Sequence, residues 1–200
     1  MSTFLVVPGW QNSGPQHWQS LWQQKSRNWY RVEQSDWNNP VGDQWVTTLD
    51  QTIRSLGQSR GNPIVLVAHS LGCLTVAHWF EKHSTDGVIG AMLVAPPDLT
   101  RPNAPKEIVG FLPVPTTPIP IPSVLVGSTN DPYCDLDVAR GMARHWGADF
   151  VSAGAVGHIN SDSGLGDWAQ GQRILADLLE RAQEEDSSST PRQERSAEPA

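Results

Sequence analysis

The sequence predicts one domain of the α/β class, with a mostly parallel sheet of about six strands flanked by helices on both faces. Short apolar runs alternate along the chain with segments in which apolar residues recur at helical spacing. Several runs, such as IVLVA and GAMLVA, are apolar throughout, which is typical of the doubly buried strands of parallel sheets. The predicted strands are Phe4–Val7, Tyr30–Gln34, Ile64–Ala68, Val88–Ala95, Val124–Gly127 and Phe150–Ala153.

Helices are predicted in the intervals between these strands. Asn39 and Pro40 fit the N-cap and the first residue of one helix, and Gly57 fits its end. The apolar residues at helical spacing within this helix are Trp45, Leu49, Ile53 and Leu56. A second helix is predicted directly after Ser70, with an apolar face formed by Cys73, Val76, Ala77 and Phe80. Two more helices are predicted, at residues 135–146 and 166–182.

Two segments depart from this alternation. Residues 96–122 contain nine of the sixteen prolines, so they form neither a central strand nor a long helix. Such a segment either caps a site or crosses the surface as a stiff connection, and the sequence leaves both interpretations open. Residues 184–200 carry five acidic residues and two arginines with almost no apolar side chains. We therefore predict a single domain over residues 1–183 and a disordered acidic tail over residues 184–200.

Composition narrows the classes of function. The formal net charge is −7 and no basic stripe is visible, which argues against a nucleic-acid partner. No apolar stretch approaches the length that spans a bilayer, and the run Phe4–Val7 is too short for a signal peptide. Two cysteines, Cys73 and Cys134, cannot form a disulfide framework, so we expect a soluble intracellular protein with reduced thiols. No cluster of Cys and His has metal-ligand spacing, and we expect neither a metal nor another cofactor.

The segment AHSLG, Ala68 to Gly72, contains Ser70 at the point where a strand is predicted to turn into a helix. A serine in such a sharp turn presents its hydroxyl clear of the sheet, and the residues two before and two after it must be small. The following helix directs its first N–H groups and its positive dipole end toward the same point. These features favour a nucleophile, although a serine at this position could instead act as a helix N-cap.

The strict match to G-x-S-x-G in this chain is a different segment, GQSRG, which runs from Gly57 to Gly61. It follows an amphipathic helix and precedes a strand, whereas the catalytic turn needs a strand before the serine and a helix after it. We therefore interpret Ser59 as a loop residue without a catalytic role.

A serine hydroxyl needs a base to take its proton, and that base is usually a histidine oriented by a carboxylate. Asp131 follows the fifth predicted strand, and His158 follows the last one. Catalytic groups gather at the carboxyl ends of parallel strands, and serine, acid and histidine occur here in a known chain order. We predict Ser70, Asp131 and His158 as a catalytic triad, with Asp135 and Asp137 as alternative acids.

The negatively charged oxygen that forms during acyl transfer needs two backbone donors. The N–H of Leu71, the residue after the predicted nucleophile, is one of them. The second should come from the loop PGWQNSGPQHW after the first strand, where Trp10 N–H is the candidate and Gln11 N–H the alternative. The candidate walls of the substrate pocket are Trp10, Gln11, Trp18 and residues 96–122.

Several stretches resemble a family of small serine hydrolases that includes the mammalian retinoblastoma-binding serine hydrolase and bacterial YdeN-type proteins. The stretches are VVPGW followed by HW, VAHSLGC, APPD, FLPVPTTPIPIPS, STNDPYC and GHIN. The resemblance implies an α/β-hydrolase fold, a cytoplasmic location, activity on carboxylic esters or amides, and a triad at Ser70, Asp131 and His158. The retinoblastoma-associated motif L-x-C-x-E is absent, because Leu71 to Thr75 lacks the glutamate, so we predict no partner of that type.

We predict a serine hydrolase that transfers the acyl group of a small ester or amide to water through an acyl-enzyme intermediate. A thioesterase or a transacylase would use the same residues, because specificity lies in the shape of the pocket. The other alternative is a non-catalytic module that retains the triad and binds a ligand or a protein.

Overall fold

Six parallel strands form one sheet in a computed structural model that describes residues 2–85 and 87–189. The strands are β1 (Thr3–Val7), β2 (Trp29–Arg31), β3 (Ile64–His69), β4 (Val88–Val94), β5 (Ser123–Gly127) and β6 (Asp149–Ser152). Their order across the sheet is β2-β1-β3-β4-β5-β6. Each predicted strand is present, and the prediction of a mostly parallel sheet is confirmed.

Helices cover both faces of this sheet, as predicted. They are α1 (Trp18–Gln23), α2 (Gly42–Arg60), α3 (Leu71–Lys82), α4 (Leu136–Trp146) and α5 (Ala169–Ser189), with one 3-10 turn at Ser161–Ser163. Apolar residues of α2, α3 and α4 pack in one core, and those of α1 and α5 pack in a second core. Among the residues described, none of the helices combines the length and apolar character that crossing a bilayer requires.

The central strands contribute side chains to both cores in alternation. Leu66 of β3 and Leu93 of β4 lie in the core with α2, α3 and α4. Their chain neighbours, Val67 and Met92, lie in the core with α1 and α5. Because successive side chains of a strand point to opposite faces, a strand covered on both sides must be apolar throughout. This explains the unbroken apolar runs of the sequence.

Helix α2 begins later than the sequence predicts. The expected first residue, Pro40, precedes the helix, and α2 starts at Gly42 with Val41 as its N-cap. The reason is a contact with the proline-rich segment: Val109 N–H donates to Pro40 O at 3.0 Å, and Gly42 N–H donates to Val109 O at 2.8 Å. Residues 40–42 therefore hydrogen-bond to Val109, a residue distant in sequence. Local helix propensity carries no information about such a long-range contact.

The same helix also ends later than predicted. Gly57 was expected to end it, but the helix continues to Arg60 and is capped by Gly61, which has a left-handed backbone with φ 63°. A glycine is tolerated inside a helix at a modest cost, so Gly57 alone does not end one. Ser59 therefore lies in the last turn of α2, and the prediction that it lies in a loop is wrong.

Helix α5 differs from its prediction at both ends. It begins at Ala169, after Gly166 and Trp168 adopt left-handed backbone angles of 53° and 43°. It continues to Ser189, so residues 184–189 of the predicted disordered tail lie in a helix. Residues 190–200 of the predicted tail lie outside the described residues.

The proline-rich segment agrees with both of its interpretations, in different halves. Its first half, from Pro97 to Ile108, contributes side chains to the lining of a cavity. Its second half crosses the surface as a connection, and the side chain of Ile119 anchors it by packing in the core. Trp146 fastens this half by donating its Nε1–H to Pro115 O at 2.8 Å, and Ile119 N–H donates to Trp146 O at 2.8 Å.

The strand order reverses its direction at β1, because β2 and β3 lie on opposite sides of it. In open parallel sheets, such a reversal leaves a crevice outside the carboxyl ends of the strands, and ligands bind there. The loops after β1 and β3 leave the sheet on the two sides of this crevice. Those loops carry the predicted oxyanion donors and the predicted nucleophile.

Candidate active site

Ser70 joins β3 to α3 with φ 54° and ψ −125°, a conformation that residues with a side chain rarely adopt. Gly72 permits this turn, because a Cβ at Gly72 would lie 2.2 Å from Val7 O. Ser70 occupies the N-cap position of α3, but its side chain makes no capping hydrogen bond. The interpretation of this hydroxyl as a helix cap is therefore wrong.

The three residues predicted as a triad meet at the carboxyl edge of the sheet. Ser70 Oγ lies 2.8 Å from Nε2 of His158, and Nδ1 of His158 lies 3.0 and 2.9 Å from the two carboxylate oxygens of Asp131. Nδ1–H donates to the carboxylate, so the lone pair of Nε2 accepts the hydrogen bond from the Ser70 hydroxyl. Asp131 and His158 are each 8% exposed, which shields their contact from water.

Asp131 is also fixed within its own turn. Its Oδ1 accepts the N–H of Tyr133 at 2.9 Å, and the ring of Tyr133 packs edge-on against His158 with centroids 4.6 Å apart. The alternative acids, Asp135 and Asp137, lie at the N-cap and in the first turn of α4. Asp131 is therefore the carboxylate that the fold brings to the histidine.

Side chains of the loop after β5 also hold the loop that carries His158. Asn130 Oδ1 accepts the N–H of Gly157 at 2.8 Å, and Ser128 Oγ accepts the N–H of Val156 at 3.1 Å. One loop therefore supplies the carboxylate and fixes the backbone that precedes the base. Ser128 and Asn130 were not predicted as site residues, although both stand beside the predicted acid in the segment STND.

Two further histidines, which were not predicted as site residues, lie beside the site. His69 Nε2–H donates to His158 O at 2.9 Å. His17 caps α1 by accepting the N–H of Gln19 at Nδ1, and its ring lies 4.6 Å from that of His69. Burial lowers the pKa of His69 well below its usual range, and burial together with the nearby charge of Arg31 lowers the pKa of His17 to about 3. Both rings are therefore neutral at neutral pH.

The loop after β1 approaches the start of α3 closely. A Cβ at Gly9 would lie 3.2 Å from Leu71 N and closer still to the side chain of Ser70. The approach of this loop to α3 therefore depends on glycine. Gln11 N–H donates to Trp37 O at 2.9 Å. Among the described residues, the N–H groups of Trp10 and Leu71 have no acceptor, and Leu71 begins a helix, where N–H groups lack intrahelical partners.

A cavity of about 370 Å³ has Ser70 and His158 in its lining. The loop after β1 contributes Trp10 and the predicted wall residue Gln11. Apolar wall residues from the proline-rich segment include Leu99, Ala104 and Ile108, and the charged residues of the lining are Asp98, Arg101 and Asp162. The expected contribution of residues 96–122 therefore comes from their first half.

Trp18, which was predicted as a wall of the pocket, does not line the cavity. It is 1% exposed and packs with Trp22 and Trp168 in the core beneath the site. Its Nε1–H donates to Ile159 O at 2.8 Å, directly after His158. The tryptophan lies on the inward face of α1, so it supports the histidine loop from below and has no access to a substrate.

Other candidate nucleophiles and ligands are poorly suited to reaction. Cys73 and Cys134 are buried free thiols. Burial raises the pKa of Cys73, and it raises the pKa of Cys134 to about 12, so neither forms a thiolate at neutral pH. In the part of the chain that the structure describes, no group of three or more His, Cys, Asp or Glu could hold a metal ion.

The fold and the position of these residues define a class of protein. A parallel sheet with a serine at the strand-to-helix turn after β3, an acid after β5 and a histidine after β6 is an α/β-hydrolase fold. The chain belongs to the serine hydrolase family, whose model matches residues 4–177. The predicted resemblance to small α/β serine hydrolases is confirmed.

Solved structures agree with this assignment. A protein described as a YdeN-like hydrolase, from Pectobacterium atrosepticum, is 30% identical, with a TM-score of 0.78 over 91% of this chain and 92% of that one. The ydeN gene product of B. subtilis is 17% identical, with a TM-score of 0.71 over 90% of this chain and 100% of that one. A thermophilic esterase from Thermogutta terrifontis shares the fold at 14% identity, with a TM-score of 0.65 over 91% of this chain and 90% of that one. No protein with a curated function matches the sequence.

Proposed function

We propose that this protein cleaves small carboxylic esters or amides through an acyl-enzyme intermediate on Ser70. The observation that supports this most is the hydrogen-bonded chain of Ser70, His158 and Asp131, with Oγ 2.8 Å from Nε2 and Nδ1 2.9 Å from the carboxylate. A serine hydroxyl attacks poorly until a base takes its proton. A carboxylate hydrogen-bonded to that base orients the base and stabilises its positive charge. This chain of contacts meets both requirements.

In the proposed reaction, Ser70 Oγ attacks the carbonyl carbon of the substrate while Nε2 of His158 takes the hydroxyl proton. Asp131 keeps the imidazole in the Nδ1–H tautomer and stabilises its positive charge. The bond from the carbonyl carbon to the leaving oxygen or nitrogen then breaks, and the leaving group departs with the proton from Nε2. Water, activated by the same base, cleaves the Ser70 ester, releases the carboxylic acid and restores the hydroxyl.

The tetrahedral intermediate carries negative charge on the former carbonyl oxygen. We assign the N–H groups of Leu71 and Trp10 as its donors, because neither has another acceptor among the described residues. Gln11, the alternative donor, is disfavoured because its N–H already donates to Trp37 O. The positive end of the α3 dipole adds to the stabilisation of this charge.

The cavity supports a small-molecule substrate. Its volume of about 370 Å³ lies within the range of ligand pockets, roughly 300–1,000 Å³. The apolar side chains of Leu99 and Ile108 suit an acyl chain. The description of the Thermogutta terrifontis protein as an esterase agrees with this substrate class. A cytoplasmic location and the absence of nucleic-acid and retinoblastoma-type partners stay predictions from the sequence.

Hydrolysis of p-nitrophenyl esters of increasing acyl length, measured beside aminoacyl p-nitroanilides, tests this proposal. The wild type should hydrolyse at least one ester, and Ser70→Ala should retain only about 10³-fold acceleration over water. Asp131→Asn should lower kcat by on the order of 10³ to 10⁴, because the imidazole loses its tautomer. Ser59→Ala is the matched control and should keep full activity, since Ser59 lies in α2 and its hydroxyl contacts Leu56 O.

Two outcomes would overturn the proposal. Equal turnover by Ser70→Ala and the wild type would assign the chemistry to another residue. Failure of the wild type to hydrolyse any ester or amide of the panel would favour the non-catalytic binding module.

A further inference from the structure

We propose that Arg31 is a positioning residue, whose guanidinium holds the loop after β1 in the conformation that presents Trp10 N–H to the substrate oxygen. This inference rests on the proposed function, because it takes Trp10 N–H as a donor in acyl transfer. Arg31 is not among the residues that line the cavity, so it acts through the loop.

Arg31 is the last residue of β2, which pairs with β1 at the edge of the sheet. From there its guanidinium reaches the loop after β1 with two hydrogen bonds from Nη1. One goes to Asn12 Oδ1 at 2.7 Å, and the other goes to Ser13 O at 3.0 Å. The two bonds restrain both a side chain and the backbone, two and three residues after Trp10.

The other nitrogens of Arg31 bind the helix that follows this loop. Nη2 donates to Ser20 Oγ at 2.7 Å, and Nε donates to Gln23 Oε1 at 2.9 Å. Ser20 Oγ–H in turn donates to Ser13 O at 2.9 Å. A planar guanidinium with donors in a fixed fork can join a strand, a loop and a helix at once.

The acceptors of Arg31 are all neutral. Among the described residues it forms no ion pair, in contrast to Lys25, which pairs with Asp167. Arg31 is half-buried, and burial lowers its pKa, with Glu33 opposing this effect. A half-buried cation without a contacting carboxylate costs desolvation energy, so its hydrogen bonds must offset that cost.

The loop that Arg31 restrains is strained. Gln11 and Asn12 both have φ 64°, which is unfavourable for residues with a side chain. Asn12 Oδ1 accepts the N–H of Ser13 at 2.7 Å in addition to the arginine, and Asn12 N–H donates to Gly9 O at 3.1 Å. Strained backbone persists where its surroundings over-determine it, and Arg31 provides much of that restraint next to Trp10.

Kinetics of the full chain with Arg31→Gln and Arg31→Lys test this role, with active sites counted by fluorophosphonate titration. Per active site, Arg31→Gln should lower kcat for a p-nitrophenyl ester by about 10- to 100-fold, less than the loss of an oxyanion donor itself. KM should change little, because the loop acts on the transition state. Arg31→Lys should lose less. Arg54→Gln, on the exposed surface of α2, is the control and should match the wild type.

A trifluoromethyl ketone supplies a second readout, because its adduct with the serine carries an oxyanion. Its Ki should rise in Arg31→Gln by the same factor by which kcat/KM falls. If Arg31 serves only stability, the variant will show a lower melting temperature and fewer active sites, with kcat per site and Ki unchanged, and the inference is wrong. Should Arg31→Gln fail to fold, Asn12→Gly removes the acceptor while tolerating positive φ, and the same covariation is expected.

These results separate the inference from the proposed function. A wild type that hydrolyses the ester, with activity lost in Ser70→Ala and unaffected in both Arg31 variants, contradicts the role of Arg31 alone. A wild type without turnover or labelling contradicts the proposed function instead.

Discussion

At Ser70 the backbone angle φ is positive, and several other residues around the site share this property. Gln11 and Asn12 follow β1, Ala95 follows β4, and Ile159 follows His158, all with φ between 50° and 64°. Each such conformation costs about 1–3 kcal/mol when the residue carries a side chain. Strain therefore concentrates at the carboxyl edge of the sheet, where the side chains must be aimed at a common point.

His17 gives a prediction at the scale of one residue. Its pKa of about 3 in the folded protein lies below the usual value of 6.5, so between these values the unfolded chain binds a proton that the folded chain does not. Stability should therefore fall as the pH falls from about 6.5 toward 3. His17→Asn can still accept the capping hydrogen bond of α1, and it should reduce this acid sensitivity.

The measurement is the melting temperature of both proteins from about pH 7 to about pH 4. His145→Asn is the control, because His145 is exposed on α4, and its pH profile should follow that of the wild type. An identical profile for His17→Asn and the wild type would contradict the assignment of acid sensitivity to His17.

Among the elements, the β3–α3 connection sets the position of the nucleophile. Helix α3 starts so close to β1 that a Cβ on Gly72 would lie 2.2 Å from Val7 O and 2.8 Å from Pro8 O. Both contacts are with backbone atoms, which cannot rotate away. The glycine two residues after the serine is therefore a requirement of the packing between this helix and its neighbouring strand.

Two glycine-to-alanine substitutions in helices should have opposite effects. Gly72→Ala should lower the free energy of unfolding by about 2 kcal/mol or more, because the added methyl overpacks against backbone. Gly57→Ala should raise it by about 0.5–1 kcal/mol, since nothing lies within 4 Å of the new methyl and alanine favours the helix. Urea denaturation measures both. A Gly72→Ala variant as stable as Gly57→Ala would contradict the described approach of α3 to β1.

Sequence patterns predicted the elements better than their ends. The central strands follow from apolar runs, because both faces of each central strand must be buried. The predicted start of α2 was wrong because Val109, from a distant part of the chain, pairs with residues 40–42. The extent of α5 was wrong because a polar composition suits an exposed helix as well as a disordered tail.

For the whole molecule, the topology of a parallel sheet brings three distant loops to one edge. The order of Ser70, Asp131 and His158 along the chain therefore predicted their meeting. The remainder of the site depends on tertiary packing that no local pattern contains. Trp18 was assigned to the pocket although it faces the core, and Arg31 gave no signal because its partners come from a loop and a helix.

The most direct test of the central claim is the mass of the protein after reaction with a fluorophosphonate, followed by peptide mapping of the modified residue. We expect a single adduct on the peptide that contains Ser70, no adduct in Ser70→Ala, and slow labelling in His158→Ala. An adduct on any other residue, or undiminished labelling of Ser70→Ala, would contradict the assignment of this serine as the nucleophile.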